Sequence, residues 1–496
     1  MIRKFEKESE LSLEYVLPDY LGDVKRVLSL VPHAVLEGAF VSSDGAECAG
    51  HVDFEMTYLD TDGEVRSFIA PVDFNTDFSF DFSELRDKTA SAKIQKCNHR
   101  VISARKISFK ATVKLILTCD FPYVETLSLE GAECERTEVL SKMERFLQKR
   151  ENEYQSTVPV PEELFGDFEI LSSFGSVRIG ESVIKNGIVT VSGEYVIGAL
   201  IKDENGVIYS VKRSIPFEEI ISSESTEGES LIDTFGAVSS INLSIDEEKK
   251  NELQLSFTSD LYTVLTENET VTVLSDAYYV DYKSDCEYES HVFSRAISRG
   301  GVDSEIALLV PADVIDPSSA ADLFLYNTDP QDVEESLNGH EVKLCGNFNL
   351  GGILAEIGED GKRTYSPIKI CLPFEKVITL DNPPPRDAKI DCEISVWDNA
   401  VTISEDGVKI TLFVTVHLEI FDTGRVQMLK SIEKGEELPK TEELVYTVCY
   451  IKNDDSLFSL AKRYNTTREK LAKDNNLSLS ASSTADIELP KKLIIT

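Results

Sequence analysis

Three stretches of the chain repeat one pattern of alternating side chains after a glycine, and this repeat constrains the fold most. When the copies are aligned on Gly50, Gly193 and Gly346, apolar residues or glycine recur at every second position. A period of two residues is typical of a β-strand that buries one face. The recurring columns are Val52/Tyr195/Phe348, Phe54/Ile197/Leu350, Met56/Ala199/Gly352 and Tyr58/Ile201/Leu354.

Each copy then reaches a polar turn that closes on a glycine. Because glycine accepts a positive φ at little cost, this turn predicts a β-hairpin. The second strand of each hairpin is expected to stop near a proline, since proline cannot donate to a sheet ladder. The turns are Asp62-Gly63, Asn205-Gly206 and Asp360-Gly361, and the prolines are Pro71, Pro216 and Pro373.

A second strand with the same alternation completes each copy. It runs over residues 107–118, 253–261 and 408–420, and apolar side chains recur at every second position while the other face is mostly polar. One buried and one wetted face are typical of antiparallel sheets. The sequence therefore predicts a mainly β chain, with three tandem antiparallel β-sandwich-like domains followed by a small βααβ domain. The alternative is that ordinary hairpins resemble one another by accident.

The predicted domain boundaries follow these repeats and the composition between them. Val139, Met143 and Phe146 have helical spacing, which predicts a helix over residues 135–154, and the two prolines that follow stiffen the link. We expect β domains at 1–134, 164–284 and 285–430, the third with a leading linker, a helical and proline-containing linker at 135–163, a charged linker at 431–443 and a tail domain at 444–496.

The charge of the chain limits its partners. The formal net charge is −38, from 88 acidic and 50 basic residues, so nucleic acid and anionic lipid would be repelled. All of the excess lies before residue 441, because residues 441–496 hold eight acidic and eight basic residues. We therefore expect the tail to be a separate domain, and we expect neither nucleic-acid binding nor membrane insertion.

The chain shows no sequence pattern of an enzyme or of a metal or cofactor site. It has no Walker loop, G-x-S-x-G, H-E-x-x-H or dinucleotide fingerprint, and its six histidines are far apart. His417 falls on the polar side of an alternating strand, so we expect it to be exposed. We predict a protein that is not an enzyme, with no catalytic residues, no metal site and no cofactor.

The cysteines and the hydropathy predict an intracellular address. The nine cysteines are scattered and form no C-x-x-C motif, which favours free thiols in a reducing compartment. The first residues are too polar for a secretory signal, and no apolar run reaches the length of a membrane span. The expected location is the cytoplasm.

The tail has the order strand, helix, helix, strand. Ser456 is a helix cap before apolar residues at helical spacing, and Thr466 and Glu469 have the spacing of a second capping box. With the words DSLFSLAKRYNTTREKLAKDNNL, this stretch resembles a LysM domain. Members of that family hold N-acetylglucosamine chains in two loops. In this chain those loops depart from the family pattern, with Pro490-Lys491-Lys492 in place of Gly-Gln, which favours a protein partner over a glycan.

The whole layout is similar to the clostridial SipL family of spore morphogenesis proteins. The resemblance rests on LPDYLGDVKRVL near the start, three β units that resemble the SPOCS domain, and one terminal LysM domain. It implies a non-enzymatic scaffold at the forespore surface in the mother-cell cytoplasm. It also implies that the LysM domain docks onto a coat-basement ATPase of SpoIVA type, with other coat proteins as further partners.

The partner-binding groove of the tail is predicted from the LysM resemblance. Its expected residues are Tyr446, Ile451, Phe458, Asn475 and Asn476, and packing in the LysM core is the other interpretation of Tyr446 and Phe458. Two other functions stay open. One is a cell-wall protein that binds peptidoglycan, an N-acetylglucosamine polymer. The other is a coat building block that self-assembles through exposed edge strands.

Overall fold

The fold consists of twenty β-strands and two short α-helices among the described residues. Neither helix is long and apolar enough to cross a membrane. The structure is a computed structural model, and it describes residues 2–42, 45–79, 87–121, 127, 129–161, 168–222, 230–245, 252–359, 361–405, 407–439, 447–452, 455–477 and 490–495.

The first β domain is a sandwich of two three-stranded sheets. One sheet has the order β2-β3-β4 and the other has the order β1-β6-β5. Phe54 of the first sheet stacks on Phe109 of the second, with ring centres 5.1 Å apart. The strands are β1 (Ile2–Val16), β2 (Val24–Ser42), β3 (Gly45–Asp60), β4 (Val65–Ser79), β5 (Asp87–Ser103) and β6 (Lys106–Asp120).

The second and third β domains repeat this six-strand topology. Their sheets have the orders β8-β9-β10 and β7-β12-β11, and β14-β15-β16 and β13-β18-β17. The strands of the second are β7 (Glu133–Pro159), β8 (Phe168–Lys185), β9 (Ile188–Asp203), β10 (Ile208–Ser222), β11 (Leu231–Ile245) and β12 (Glu252–Tyr278). The strands of the third are β13 (Tyr282–Val310), β14 (Ala320–Asn338), β15 (Glu341–Ile357), β16 (Arg363–Thr379), β17 (Lys389–Ser404) and β18 (Gly407–Glu437).

The tail is a two-stranded sheet with two helices. Strand β19 (Thr447–Tyr450) pairs with β20 (Lys492–Ile495), and between them lie α1 (Leu457–Arg463) and α2 (Arg468–Asp474). The predicted fold class, three antiparallel β sandwiches followed by a βααβ domain, is therefore confirmed.

One glycine–phenylalanine pair recurs in each sandwich, between the middle strand and an edge strand of the same sheet. Gly50 lies directly opposite Phe74, Gly193 opposite Phe217, and Gly346 opposite Phe374. A Cβ on any of the three glycines would lie within 3.0 Å of the opposite ring. The ring therefore fills the space over the glycine, which is how a sheet accommodates glycine in a strand interior. The aligned apolar columns that follow are buried, as predicted.

The predicted hairpins are present, but the prolines do not stop their second strands. Gly63 and Gly206 adopt φ values of 88° and 77°, which close the turns. Strands β4, β10 and β16 continue past Pro71, Pro216 and Pro373. Each of these strands is at the edge of its sheet, so the missing N–H costs the ladder nothing.

The helix predicted over residues 135–154 is wrong, because these residues lie in strand β7. Their apolar spacing fits a helix, but β7 lies next to β12 in a sheet. The buried Glu144 carboxylate bonds to Arg299 at 2.6 Å, an interaction that no local pattern indicates. Sheet pairing and burial outweigh the weak intrinsic preference of a single segment.

The described chain divides into two compact units. The first unit contains Met1–Pro122, Met143–Glu267 and Ala296–Phe421, and the second contains Tyr123–Lys142, Asn268–Arg295 and Asp422–Thr496. In the second unit, the end regions of four long strands form apolar clusters of their own, with Val273, Phe293 and Met428 buried in one of them. The tail belongs to this same unit.

An apolar cluster joins the three sandwiches of the first unit. Its buried members include Val65, Ile208 and Tyr365, which occupy equivalent positions at the starts of β4, β10 and β16. The Tyr365 hydroxyl accepts a hydrogen bond from Ile208 N at 2.8 Å and donates one to Gly206 O at 3.1 Å. The Nζ of buried Lys202 donates to Val65 O at 2.8 Å. These bonds give the buried Tyr365 hydroxyl, the Lys202 ammonium and the backbone groups beside them hydrogen-bond partners.

The expected exposure of His417 is wrong. Its side chain is 6% exposed, and Nδ1 lies 2.9 Å from Oδ1 of Asp233, which belongs to the second sandwich. The ring of Phe235 stacks on the imidazole at 4.0 Å. The polar face of β18 is covered here by a neighbouring domain, and the alternation within one strand does not reveal such a cover.

The repeated glycine predicts a specific packing defect. In Gly193→Ala, the new Cβ would lie 2.2 Å from Arg178 O and 3.0 Å from the Phe217 ring. We expect the variant to lose about 1–3 kcal/mol of stability through overpacking. Thermal unfolding followed by circular dichroism should show a lower Tm. The control is Gly180→Ala, whose Cβ would lie 3.4 Å from its nearest neighbour, and equal Tm values for the two variants would contradict the role of the glycine.

Candidate functional site

The two helices of the tail begin at side-chain caps. Ser456 Oγ accepts from Ser459 N at 3.0 Å, and Ser459 Oγ accepts from Ser456 N at 2.9 Å, so the predicted cap of α1 is confirmed. The second helix is capped one residue later than expected, by Thr467, whose Oγ1 accepts from Lys470 N at 3.1 Å. The N–H of Thr466 bonds to Ala461 O, so it is not available for the reciprocal bond of a capping box with Glu469.

The core of the tail includes a residue from outside it. Tyr278, at the end of β12, is 2% exposed and belongs to the same apolar cluster as the tail residues. Its ring meets that of Phe458 edge-on at 5.2 Å, and its hydroxyl donates to Thr466 O at 2.6 Å. Burial raises the pKa of Tyr278, and the Glu133 carboxylate raises it further. The tail residues of this cluster are Cys449, Leu457, Phe458, Leu460, Ala461, Leu471, Ala472, Leu493 and Ile495.

Two ion pairs bind the helices to the ends of β12 and β7. Lys462 Nζ lies 2.7 and 2.6 Å from the two carboxylate oxygens of Asp276. Arg468 Nε lies 3.3 Å from Glu133 Oε2. The Tyr288 hydroxyl donates to the Asp276 carboxylate at 2.6 Å and so orients it toward Lys462. The helical side of the tail is therefore attached to the strand ends rather than free.

The outer face of the tail sheet is exposed and apolar. Val448 pairs with Ile494 and Tyr450 pairs with Lys492, while Cys449, Leu493 and Ile495 point inward. Val448 is 55% exposed, Tyr450 68% and Ile494 45%. Lys492 Nζ lies 4.9 Å from the centre of the Tyr450 ring, a cation–π distance. We call Val448, Tyr450, Lys492 and Ile494 the sheet patch.

The predicted groove residues fall around this patch in different ways. Phe458 is 3% exposed and lies in the core, and Ile451 is half-buried against the same core. The Asn475 amide donates to Ile494 O at 2.6 Å and to Leu471 O at 2.8 Å, and its Oδ1 accepts from Ile494 N at 2.6 Å. Asn476 is exposed, has a φ of 53° and follows Asn475, the C-cap of α2. Tyr446 lies outside the described residues.

Asn475 therefore positions the patch. Its side chain joins the end of α2 to the backbone of β20, which fixes the strand that carries Ile494 and Lys492. The role of the predicted residues in binding a partner stays a prediction, and the geometry assigns to Phe458 a packing position.

The sequence reasoning missed Val448, Tyr450 and Ile494. A signal for them was present, because strand residues alternate and Cys449 and Leu493 are the inward ones. Val448, Tyr450 and Ile494 therefore had to face outward, on the exposed side of the two-stranded sheet. Contiguous apolar side chains on a surface often mark a contact site.

The remaining ionisable groups do not form a metal centre in the part of the chain that the structure describes. Its His, Cys, Asp and Glu side chains contain no group of three or more that could hold a metal ion. The nine cysteines, all within the described ranges, are free thiols as predicted. Burial raises the pKa of Cys119 to about 11.

The comparison with known families identifies the tail. No curated protein and no solved structure matches the chain. Residues 449–494 match the family model of the LysM domain, the module that the strand, helix, helix, strand order predicts. The chain therefore carries a C-terminal LysM domain, which is a binding rather than a catalytic module.

Proposed function

We propose that this protein is a non-enzymatic adaptor, in which the β sandwiches form a scaffold and the LysM domain binds a macromolecular partner. The observation that carries the proposal is the sheet patch. Its aromatic and aliphatic side chains are exposed on one side of the domain, while the helical side is held by Tyr278, Asp276 and Glu133. Aromatic anchors with a polar rim commonly supply most of the free energy of protein interfaces.

The partner proposed here is a protein, and specifically a spore-coat ATPase of SpoIVA type. Two features of the sequence support a protein over a glycan. The stretch that leads into β20 has Pro490-Lys491-Lys492 where the family has Gly-Gln, and the layout of three β units and one LysM domain resembles the SipL family. On this proposal the protein acts at the forespore surface in the mother-cell cytoplasm, and its β sandwiches resemble SPOCS domains and contact other coat proteins.

A glycan partner is the second candidate, and the LysM match itself favours it. Members of that family hold N-acetylglucosamine polymers, and an exposed tyrosine such as Tyr450 offers a flat apolar surface to a sugar ring. The two candidates differ in which ligand the intact chain retains.

The sheet patch predicts the effect of one substitution on partner binding. In Tyr450→Ala, the full-length chain should bind an immobilised SpoIVA-type ATPase about tenfold or more weakly, because the aromatic anchor of the sheet patch is lost. Biolayer interferometry measures this loss. Tyr20→Ala is the control, since Tyr20 is 84% exposed and lies on the first unit. Saturable binding to immobilised chitin oligomers without affinity for the ATPase would favour the glycan candidate instead.

The position of Phe458 predicts a different kind of loss. Phe458→Ala removes a buried ring from the contact with Tyr278, so the LysM domain should lose about 3–5 kcal/mol of stability. Hydrogen exchange should then be faster in residues 457–474. Phe40→Ala is the matched control because Phe40 is 77% exposed. Unchanged protection together with lost partner binding would make Phe458 a contact residue rather than a core residue.

A further inference from the structure

The junction between the second and third sandwiches is closed by opposite charges. Lys212 lies on β10 of the second sandwich. Its Nζ is 2.7 Å from Oδ1 of Asp398 on β17 of the third sandwich. The guanidinium of Arg178 lies 5.2 Å from the centre of the Trp397 ring, and Ser176 Oγ donates to Trp397 O. Charge pairing and packing therefore seal this contact.

The register of the repeats identifies the equivalent residues at the junction between the third and first sandwiches. Lys212 lies opposite Gly198, and Lys369 lies opposite Gly351. Each of these two glycines comes five positions after the aligned glycine of its repeat. Lys369 is therefore the equivalent of Lys212.

The partner position also has an equivalent. In β17 the register skips Trp397 and resumes at Asp398, and in β5 it skips Gln95 and resumes at Lys96. Lys96 is therefore the equivalent of Asp398, and Gln95 of Trp397. The junction between the second and third sandwiches has a lysine facing an aspartate, whereas the junction between the third and first sandwiches has two lysines at these positions.

The junction between the third and first sandwiches contains a cavity, although Lys93 and Glu393 form an ion pair across it. The cavity has a volume of about 1490 Å³, and residues of all three sandwiches line it, including Lys96 and Lys369. We call it the junction cavity. It exceeds the roughly 300–1,000 Å³ that is usual for small-molecule sites, so a larger ligand fits it better.

Two edge strands border the junction cavity. Its lining includes the consecutive runs 27–35 of β2 and 92–99 of β5, and both strands are at the ends of their sheets. A strand that faces a cavity with its side chains contributes every second residue, whereas a strand that contributes every residue presents its edge. The backbone N–H and C=O groups of an edge can pair with an added strand.

One wall of the junction cavity is basic in an otherwise acidic protein. Lys96, His99 and Lys369 lie on this wall, and within the described residues neither lysine has an ion-pair partner. Burial lowers the pKa of His99, and the nearby Lys369 charge lowers it further. The Lys369 charge also opposes the effect of burial on Cys97, whose pKa is about 11.

The acidic residues of the cavity lining lie on other strands than these lysines. Asp53 and Glu55, on β3, each lie beside a histidine, at 3.6 Å from His51 and 3.4 Å from His33. Asp329 lies on β14. Lys93 is also part of the lining, but it is already paired with Glu393. The wall made by β5 and β16 therefore keeps two uncompensated positive charges.

We propose that the junction cavity binds an extended acidic segment of a protein partner. The segment pairs its backbone with the edge of β5 and places carboxylates against Lys96 and Lys369, where the sealed junction has the carboxylate of Asp398. A nucleic acid supplies negative charge but no strand to pair, and the net charge of −38 repels a long polyanion. This site is separate from the LysM domain and is a second docking point on the scaffold.

The test uses the full-length chain and a fluorescein-labelled octapeptide of alternating threonine and glutamate, measured by fluorescence anisotropy at low salt. The double variant Lys96→Glu/Lys369→Glu should weaken binding about tenfold or more. Lys110→Glu/Lys409→Glu is the matched control, because it makes the same charge change at exposed residues of the same two sandwiches that do not line the cavity. Circular dichroism confirms that both variants fold.

Two further probes separate strand pairing from charge alone. A peptide with prolines in place of the threonines keeps the carboxylates but cannot pair along β5, so it should bind at least about tenfold more weakly. A peptide with lysines in place of the glutamates should not bind. The proposal is overturned if the first peptide does not bind, if the two double variants bind it equally, or if the proline peptide or an octanucleotide of single-stranded DNA binds as well. Tyr450→Ala should leave peptide binding unchanged, so that this result is independent of the LysM partner.

Discussion

The packing of a phenylalanine ring over a glycine is the constraint on which each sandwich depends. The glycine lies in the middle strand of a three-stranded sheet, and the ring comes from the residue directly opposite on the edge strand. Since the backbone cannot shift by one residue without moving this pair, the contact fixes the register of the hairpin. Register in turn decides which side chains of the strand enter the core, because a slip of one residue turns every side chain to the other face.

The same repeated geometry has different consequences at the contacts between sandwiches. Val65, Ile208 and Tyr365 occupy equivalent positions and lie in one shared apolar cluster. Each of the three domains therefore packs against the others through the same part of its repeat. The outer positions have diverged, with Lys212 facing Asp398 at one junction and Lys369 and Lys96 at the equivalent positions of another. At equivalent positions the repeated fold thus has an ion pair at one contact and two lysines beside a cavity at the other.

The LysM domain illustrates how far a recognised module depends on its surroundings. Its order of elements and its first helix cap follow from local sequence, because capping and apolar spacing act over a few residues. Its core is completed by Tyr278, which lies far away in the chain and belongs to a strand of the second sandwich. The charged residues that hold the helices in place, Asp276 and Glu133, are equally distant in sequence.

The sequence by itself determined the alternation of the strands, the glycine turns, the three repeats and the LysM order, because these are properties of neighbouring residues. Only the tertiary structure decided that residues 135–154 extend beside β12, that β4 continues past Pro71 as an edge strand, and that His417 is buried against Asp233. Each of these outcomes depends on a partner strand or domain that lies elsewhere in the chain. The free energy of burial and pairing with that partner exceeds the local preference of the segment, and a pattern read along one strand does not contain it.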